Sequence, residues 1–364
     1  MNRLTSFLLF MLLACSLMAQ AWTPDILGDG FEMRHVAQPD DYSGKVRSTI
    51  VRKLSGDSVC CSAVLYIHGY NDYFFQSQMA DSVVAHGYNF YAVDLRKYGR
   101  SYIDGQRRFE LRDISEYYAD IDSALTQICA DGNSRIFVKA HSTGGLIASC
   151  YLSDANNRGK YPIAGLILNS PFLDMNLGYF TESVLVPVVS VYSRLLPNTP
   201  ISQGSSNLYA QSLLKQYHGE WTYNTSWKLE ISPDVTSGWI GAIHRAHCIV
   251  QGGVDVGVPV LLMHSDRSVA GDEWSADFSR GDAVLDVDDI DKYGRHLTHR
   301  RTTILIVKGG LHDLVLSRKA VRCALYPRIF GWMEKQMMPC DGYCCAFCAV
   351  FSICSREIFS LFSR

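Results

Sequence analysis

Three residues have the types and the chain order for nucleophilic attack on a carbonyl. Ser142 sits in Ala140-His141-Ser142-Thr143-Gly144, between the apolar run Ile136-Phe137-Val138 and the small-residue stretch Gly145-Leu146-Ile147-Ala148-Ser149. A strand, a sharp turn bearing serine and a helix lift a hydroxyl clear of a sheet edge, and small neighbours let strand and helix approach. The usual spacing is Gly-x-Ser-x-Gly; here Ala140 adds one methyl at the first position. A serine hydroxyl is a poor nucleophile until an adjacent imidazole takes its proton. His312, in Gly309-Gly310-Leu311-His312-Asp313, follows the apolar run at 303–307, which puts it on a loop at the same edge. A carboxylate must then orient the imidazole and stabilise its cation. Asp266, in His264-Ser265-Asp266-Arg267 after the apolar run at 260–263, is the candidate; Asp255 and Asp272 rank below it.

Acyl transfer also needs donors where negative charge develops. His68-Gly69-Tyr70-Asn71-Asp72 follows an apolar run at 63–67, and a His-Gly turn there lets backbone amides face a bound carbonyl. The expected donors are the N–H groups of Tyr70 and Thr143. His68 and His141 are read as packing residues.

The elements that must position these groups alternate along the chain. Strands are expected at 63–67, 89–93, 136–139, 163–168, 258–263 and 302–307. Helices are expected at 75–86, 114–129 and 317–337, from apolar residues at three- and four-residue spacing. Alternation implies an α/β fold, a mostly parallel sheet with helices on both faces. The rhythm stops over about 172–257, a stretch that holds Trp221, Trp227 and Trp239 and is read as a helical cap insertion. Apolar residues in such a cap can line an acyl pocket.

With 364 residues, 48% of them hydrophobic, the chain can bury a full core. A net charge of −2 gives no basic surface for nucleic acid. There is no P-loop, no Gly-x-Gly-x-x-Gly after a strand and no His-Glu-x-x-His. Arg3, an apolar stretch at 7–17 and Ala19-Gln20-Ala21 have the order of a signal peptide over 1–21, which predicts export to the periplasm or the exterior. The apolar stretch is too short to leave a transmembrane span in the mature chain. Leu12-Leu13-Ala14-Cys15 is a rival reading, a lipobox whose cleavage would leave a lipid-anchored chain. The body then runs over 22–338. A cysteine-rich tail at 339–364, with Cys340, Cys344, Cys345, Cys348 and Cys354, fits no zinc spacing.

Together these residues resemble the α/β-hydrolase superfamily, and within it the monoacylglycerol lipase, lysophospholipase and S33 serine aminopeptidase-like group. The matching elements are His68-Gly69-Tyr70, the loop from Asp94 to Ser101, Ala140-His141-Ser142-Thr143-Gly144-Gly145, Asn169-Ser170-Pro171, His264-Ser265-Asp266 and Gly310-Leu311-His312. The likeness covers roughly residues 45 to 337. Ala140, the long segment 271–301 between acid and base, and the tail depart from the group's pattern. The resemblance implies an ester hydrolase that forms an acyl-enzyme on Ser142, needs no metal or organic cofactor and acts on a small, lipid-like ester. Two alternatives follow from the same residues. One is an aminopeptidase that grips a substrate ammonium with Glu182, Glu220, Glu230 or Asp234 of the cap. The other is a non-catalytic binding protein on a hydrolase scaffold.

Overall fold

A computed structural model describes residues 21–56, 60–178 and 180–337. The leader, the lipobox and the cysteine-rich tail lie outside the described residues, apart from Ala21. Nine strands form one sheet: β1 (Thr23–Pro24), β2 (Glu32–Asp41), β3 (Gly44–Lys53), β4 (Ser62–Ile67), β5 (Asn89–Asp94), β6 (Arg135–His141), β7 (Ile163–Asn169), β10 (Val260–Ser265) and β11 (Thr302–Val307). Their spatial order is β1-β2-β3-β5-β4-β6-β7-β10-β11. From β5 to β11 every pairing is parallel, and β1, β2 and β3 add antiparallel strands at one edge. The order reverses at β4, which has β5 on one side and β6 on the other. A ligand crevice in an open α/β sheet lies beside such a switch point, outside the carboxyl ends of the strands.

The central strands read as unbroken apolar runs because both their faces are covered. Alternate residues go to two cores. Leu65, Ile67, Val93 and Val138 face one cluster, which also takes Leu125 and Ile128 of α2 (Tyr118–Ala130) and Leu146 and Ile147 of α3 (Thr143–Ser153). Val64, Tyr66, Phe90 and Phe137 face the other, with Met79 and Val83 of α1 (Ser77–Ala85) and Ile329 and Trp332 of α8 (Lys319–Met337). The helix expected from 114 begins as a 3-10 turn, Ile114–Tyr117, closed by a reciprocal capping box between Asp113 and Glu116, before α2 proper. The hairpin of β2 and β3 went unread in the sequence. Its strands are partly exposed and carry charged residues, so no apolar run marks them.

The insertion divides in two. Residues 172–236 carry α4 (Val186–Tyr192), α5 (Leu208–Leu213) and the two-residue pair β8 (Pro200–Ile201) and β9 (Val235–Thr236). They cover the carboxyl edge of the sheet. The remainder is α6 (Ser237–Gln251), which packs on α3 and buries Ala242, Ile243, Ala246 and Val250 in the main core. α6 also packs on the cap helix α4, and its Trp239 and Ile240 line the cavity under the cap, so it joins cap and body. After β10 an excursion through α7 (Val287–Gly294) leads to β11. Among the described residues, no helix is long and apolar enough to cross a membrane.

Candidate active site

The turn after β6 forces Ser142 to φ 52° and ψ −122°, a backbone conformation that a non-glycine residue holds only when its surroundings over-determine it. Those surroundings are tight. A Cβ on Gly144 would lie 2.4 Å from the carbonyl oxygen of His68, and one on Gly69 would lie 2.9 Å from the Cβ of Ser142. The glycines let the β4 loop, the turn and α3 meet. Ala140 is fully buried in the main core, so the extra methyl is accommodated.

His312 Nε2 lies 3.0 Å from Ser142 Oγ, and its Nδ1 lies 2.9 Å from a carboxylate oxygen of Asp282. All three side chains are buried. The structure thus brings Ser142 and His312 together but puts Asp282, not Asp266, on the imidazole. Asp266 is exposed, and its carboxylate accepts from the Gly309 amide at 2.7 Å. Asp255 accepts from the amides of Gly257 and His299, and Asp272 is exposed; neither reaches His312. Asp282 arrives by a detour. The chain leaves the sheet after Asp266, loops through 270–280 and returns to pair with its own outgoing segment. The Asp282 amide donates to the Arg267 carbonyl at 2.9 Å, and the Val269 amide donates to the Asp282 carbonyl at 2.7 Å. The second carboxylate oxygen of Asp282 accepts from the amides of Val284 and Leu285, both at 2.9 Å. A carboxylate so bonded is fixed in rotation, which aims its free oxygen at the imidazole.

Thr143 is the first residue of α3, so its N–H has no acceptor within the helix and stands at the positive end of the helix dipole. Thr143 and Tyr70 line the same cavity as Ser142 and His312. The Tyr70 ring packs between Phe109 and Trp239, and its hydroxyl donates to the Pro233 carbonyl of the cap. The cavity, of about 560 Å³, runs under the cap between apolar residues that include Phe172, Met175, Leu185, Val189 and Ile240.

The neighbouring histidines are built into the scaffold. The Leu95 amide donates to His68 Nε2 at 3.0 Å, so the other ring nitrogen carries the proton and donates to the Gly69 carbonyl. His141 is fully enclosed, and burial pushes its pKa down to about 4. The loop from Asp94 to Ser101 is also structural. The Asp94 carboxylate accepts from the Phe74 and Arg100 amides, and the Arg100 guanidinium is shared between Asp94 and Asp25. Asp25 and Asp282 were missed by sequence reasoning. A signal for Asp282 existed in the unusual length of the 271–301 segment.

Among the described residues, one group of acids and histidines lies close enough for a cation: Asp72, His141 and Asp313. Both carboxylates have protein partners. Lys228 sits 3.1 Å from Asp72, while Asn169 and Gln76 donate to Asp313.

Residues 60–318 match the family described as serine aminopeptidase, S33. No curated protein sequence matches the chain. Among solved structures, a soluble variant of the monoglyceride lipase of Saccharomyces cerevisiae with a substrate analogue superposes with a TM-score of 0.60 at 16% identity, over 84% of this chain and 96% of that one. The monoacylglycerol lipase of Paleococcus ferrophilus gives 0.54 at 17% identity, over 75% and 94%. A thermostable carboxyl esterase of Bacillus coagulans with glycerol gives 0.56 at 12%, over 84% and 99%. At these identities the likeness is one of fold. The match of sequence to the family spans well over half of the chain, and the chain belongs to the S33 serine aminopeptidase family of α/β-hydrolases.

Proposed function

We propose that the chain is a serine esterase acting on a lipid-like carboxylic ester. The observation that carries this is the Ser142–His312–Asp282 relay, at 3.0 and 2.9 Å, opening into an apolar cavity under the cap. His312 Nε2 takes the Ser142 proton as Oγ bonds to the ester carbonyl carbon. The Tyr70 and Thr143 amides hold the oxyanion, and Asp282 stabilises the imidazolium. The carbon–oxygen bond to the alcohol then breaks, and the alcohol leaves with the proton from His312. Water, activated by the same histidine, attacks the acyl-enzyme and frees the acid.

The apolar lining supports an acyl chain, as in a monoacylglycerol or a lysophospholipid. Leu177 and Leu185 line the cavity and are also half-exposed, so the apolar surface continues outward from it. Of the four cap carboxylates that an aminopeptidase could use, Glu230 lines the cavity, and both its oxygens already accept from Gln216 and Tyr217. Glu220 is paired with Arg322. The leader sequence supports export; an intact-mass measurement that finds the chain starting at Trp22 agrees, and a diacylglyceryl adduct on Cys15 overturns it.

The test is fluorophosphonate labelling of the mature protein, followed by a chain-length series of p-nitrophenyl esters. Labelling lost in Ser142→Ala and sharply reduced in His312→Ala is expected. Equal labelling of wild type and Ser142→Ala overturns the nucleophile. A preference for acetyl over octanoyl overturns the lipid-like substrate, and faster cleavage of alanine or proline p-nitroanilides favours the peptidase.

A further inference from the structure

Asn169 ends β7, and its side chain and carbonyl join the two halves of the reacting pair. Its main-chain carbonyl accepts from the Ser142 amide at 3.1 Å and from His141 Nδ1 at 3.0 Å. Its side-chain Nδ2 donates to the Asp313 carboxylate at 2.7 Å, and its Oδ1 accepts from the Leu314 amide at 3.1 Å. The orientation of the amide is unambiguous, because the carboxylate requires a donor and the peptide N–H requires an acceptor. One fully buried residue therefore grips the nucleophile turn through its backbone and the segment that follows His312 through its side chain.

Asp313 is the other half of this grip. It is adjacent in sequence to His312 and fully buried. Besides Asn169 it accepts from Gln76 Nε2 at 3.1 Å, and it caps the short turn Leu314–Leu316. Burial alone would raise its pKa, but His141, Lys139 and the two amide donors outweigh burial and lower it. Asp313 is thus an anion at neutral pH. The Ser142 amide is tied to a strained turn, and His312 hangs on a loop between β11 and α8. Nothing in either element alone sets the 3.0 Å between Oγ and Nε2.

We propose that Asn169 is a positioning residue that sets the distance between Ser142 and His312, acting through Asp313. This rests on the reading of Ser142 and His312 as the reacting pair. The packing account, in which Asn169 merely fills a polar hole, predicts that any substitution tolerated by the fold acts alike at every pH. The positioning account does not. In Asn169→Asp the new carboxyl lies against the Asp313 carboxylate, and two such groups at that spacing ionise together only at raised pH. Protonated, the new carboxyl reproduces the donor and the acceptor of the amide. Ionised, it repels Asp313 and pushes the His312 segment away. The titratable groups around this pair are His141 and Lys139 on β6, Tyr66 on β4, Asp72 on the loop after β4, Tyr209 of the cap, Tyr326 on α8 and His312 itself.

The experiment compares fluorophosphonate labelling rates and ester kcat and KM at pH 6, 7.5 and 9 for wild type, Asn169→Asp and Asn169→Leu. Asn169→Leu is expected to lose at least tenfold in kcat at every pH, with KM within twofold. Asn169→Asp is expected to stay within threefold of wild type at pH 6 and to fall progressively behind it as pH rises to 9; a ratio to wild type that is constant across the three pH values overturns the proposal. The proposal is overturned if Asn169→Leu stays within threefold of wild type, if Asn169→Asp is as impaired as Asn169→Leu at every pH, or if the loss resides in KM. A wild type that neither labels nor hydrolyses esters refutes the esterase reading instead. In that case crystal structures of Asn169→Leu and wild type still test the grip, through an Oγ–Nε2 separation that must lengthen in the variant.

Discussion

The Ser142 turn and the Asp282 loop deliver two members of the proposed relay by different means. Ser142 is placed by packing: a buried strand, a helix start and glycines that admit no added carbon hold a strained residue in one position. Asp282 is placed chiefly by hydrogen bonds, with one close approach at Gly281, where an added Cβ would lie 2.4 Å from a Val269 methyl. Its loop pairs with its own outgoing strand at Arg267 and Val269 and is stitched by two amides to the carboxylate. The turn leaves no freedom in sequence, whereas the loop requires only that the chain return to the right place. On the proposed reading, geometry at the nucleophile is thus local and intolerant, while the orienting acid can migrate along the chain as long as a carboxylate reaches Nδ1.

The largest effects should come from breaking each member. Ser142→Ala should lower kcat on the order of 10⁶-fold, since serine and histidine act as a unit. Asp282→Asn should lower it by roughly 10³- to 10⁴-fold, because an amide in that place favours the wrong imidazole tautomer. Turnover of a p-nitrophenyl ester by purified variants measures both. An Asp282→Asn variant within tenfold of wild type would remove Asp282 from the relay.

This contrast also explains what could be read from the sequence. Ser142 and His312 were legible because each directly follows an apolar strand with glycines around it, so short-range pattern and sheet topology coincide. Tyr70 and Thr143 were expected from the same logic, and both line the cavity that Ser142 lines. Asp266 satisfies the same local pattern, directly after β10, yet its carboxylate is engaged by Gly309. The position of Asp282 depends on a return path that no local pattern encodes. The hairpin of β2 and β3 was missed for a related reason: an edge strand is stabilised by its partner rather than by its own apolar run.

The packing side of the comparison is sharpened by two alanine substitutions at glycines. Gly144→Ala places a carbon 2.4 Å from the His68 carbonyl and 2.6 Å from that of Ile67, both backbone atoms with nowhere to go. A loss of about 3 kcal/mol is expected from such overpacking. Gly271→Ala, in the acid loop, meets the Phe278 ring at 3.5 Å, an ordinary contact. It should change stability by no more than about 0.5 kcal/mol. Urea unfolding of both variants decides, and equal losses would mean that the loop is packed as tightly as the turn.

Acid should weaken the body through its enclosed imidazoles. Burial pushes both His141, beside the nucleophile, and His247, on α6, from the ordinary 6.5 down to about 4. Between these values the unfolded chain binds protons that the folded chain does not. Stability is therefore full above pH 6.5 and falls as pH drops towards 4, by up to roughly 1.4 kcal/mol per pH unit for each histidine. His247→Gln should reduce the slope of unfolding free energy between pH 6.5 and 4.5 by about half. A slope unchanged by that substitution would show that carboxylates, not these rings, govern the acid limb.

The smallest effect is expected at Asp266, the residue that local pattern selects as the acid. Asn there keeps an oxygen that can still accept from the Gly309 amide, and the side chain is exposed, so little desolvation energy is at stake. Asp266→Asn should leave kcat/KM within about threefold and stability within about 0.5 kcal/mol of wild type. Gly309 precedes His312 by three residues, so a residual effect would act through the loop and not through the imidazole. The double variant Asp266→Asn with Asp282→Asn separates these cases. If Asp266 can replace Asp282, the double variant must be far worse than Asp282→Asn alone. If the acid loop alone supplies the carboxylate, the two are indistinguishable, because the first substitution then removes nothing that His312 uses.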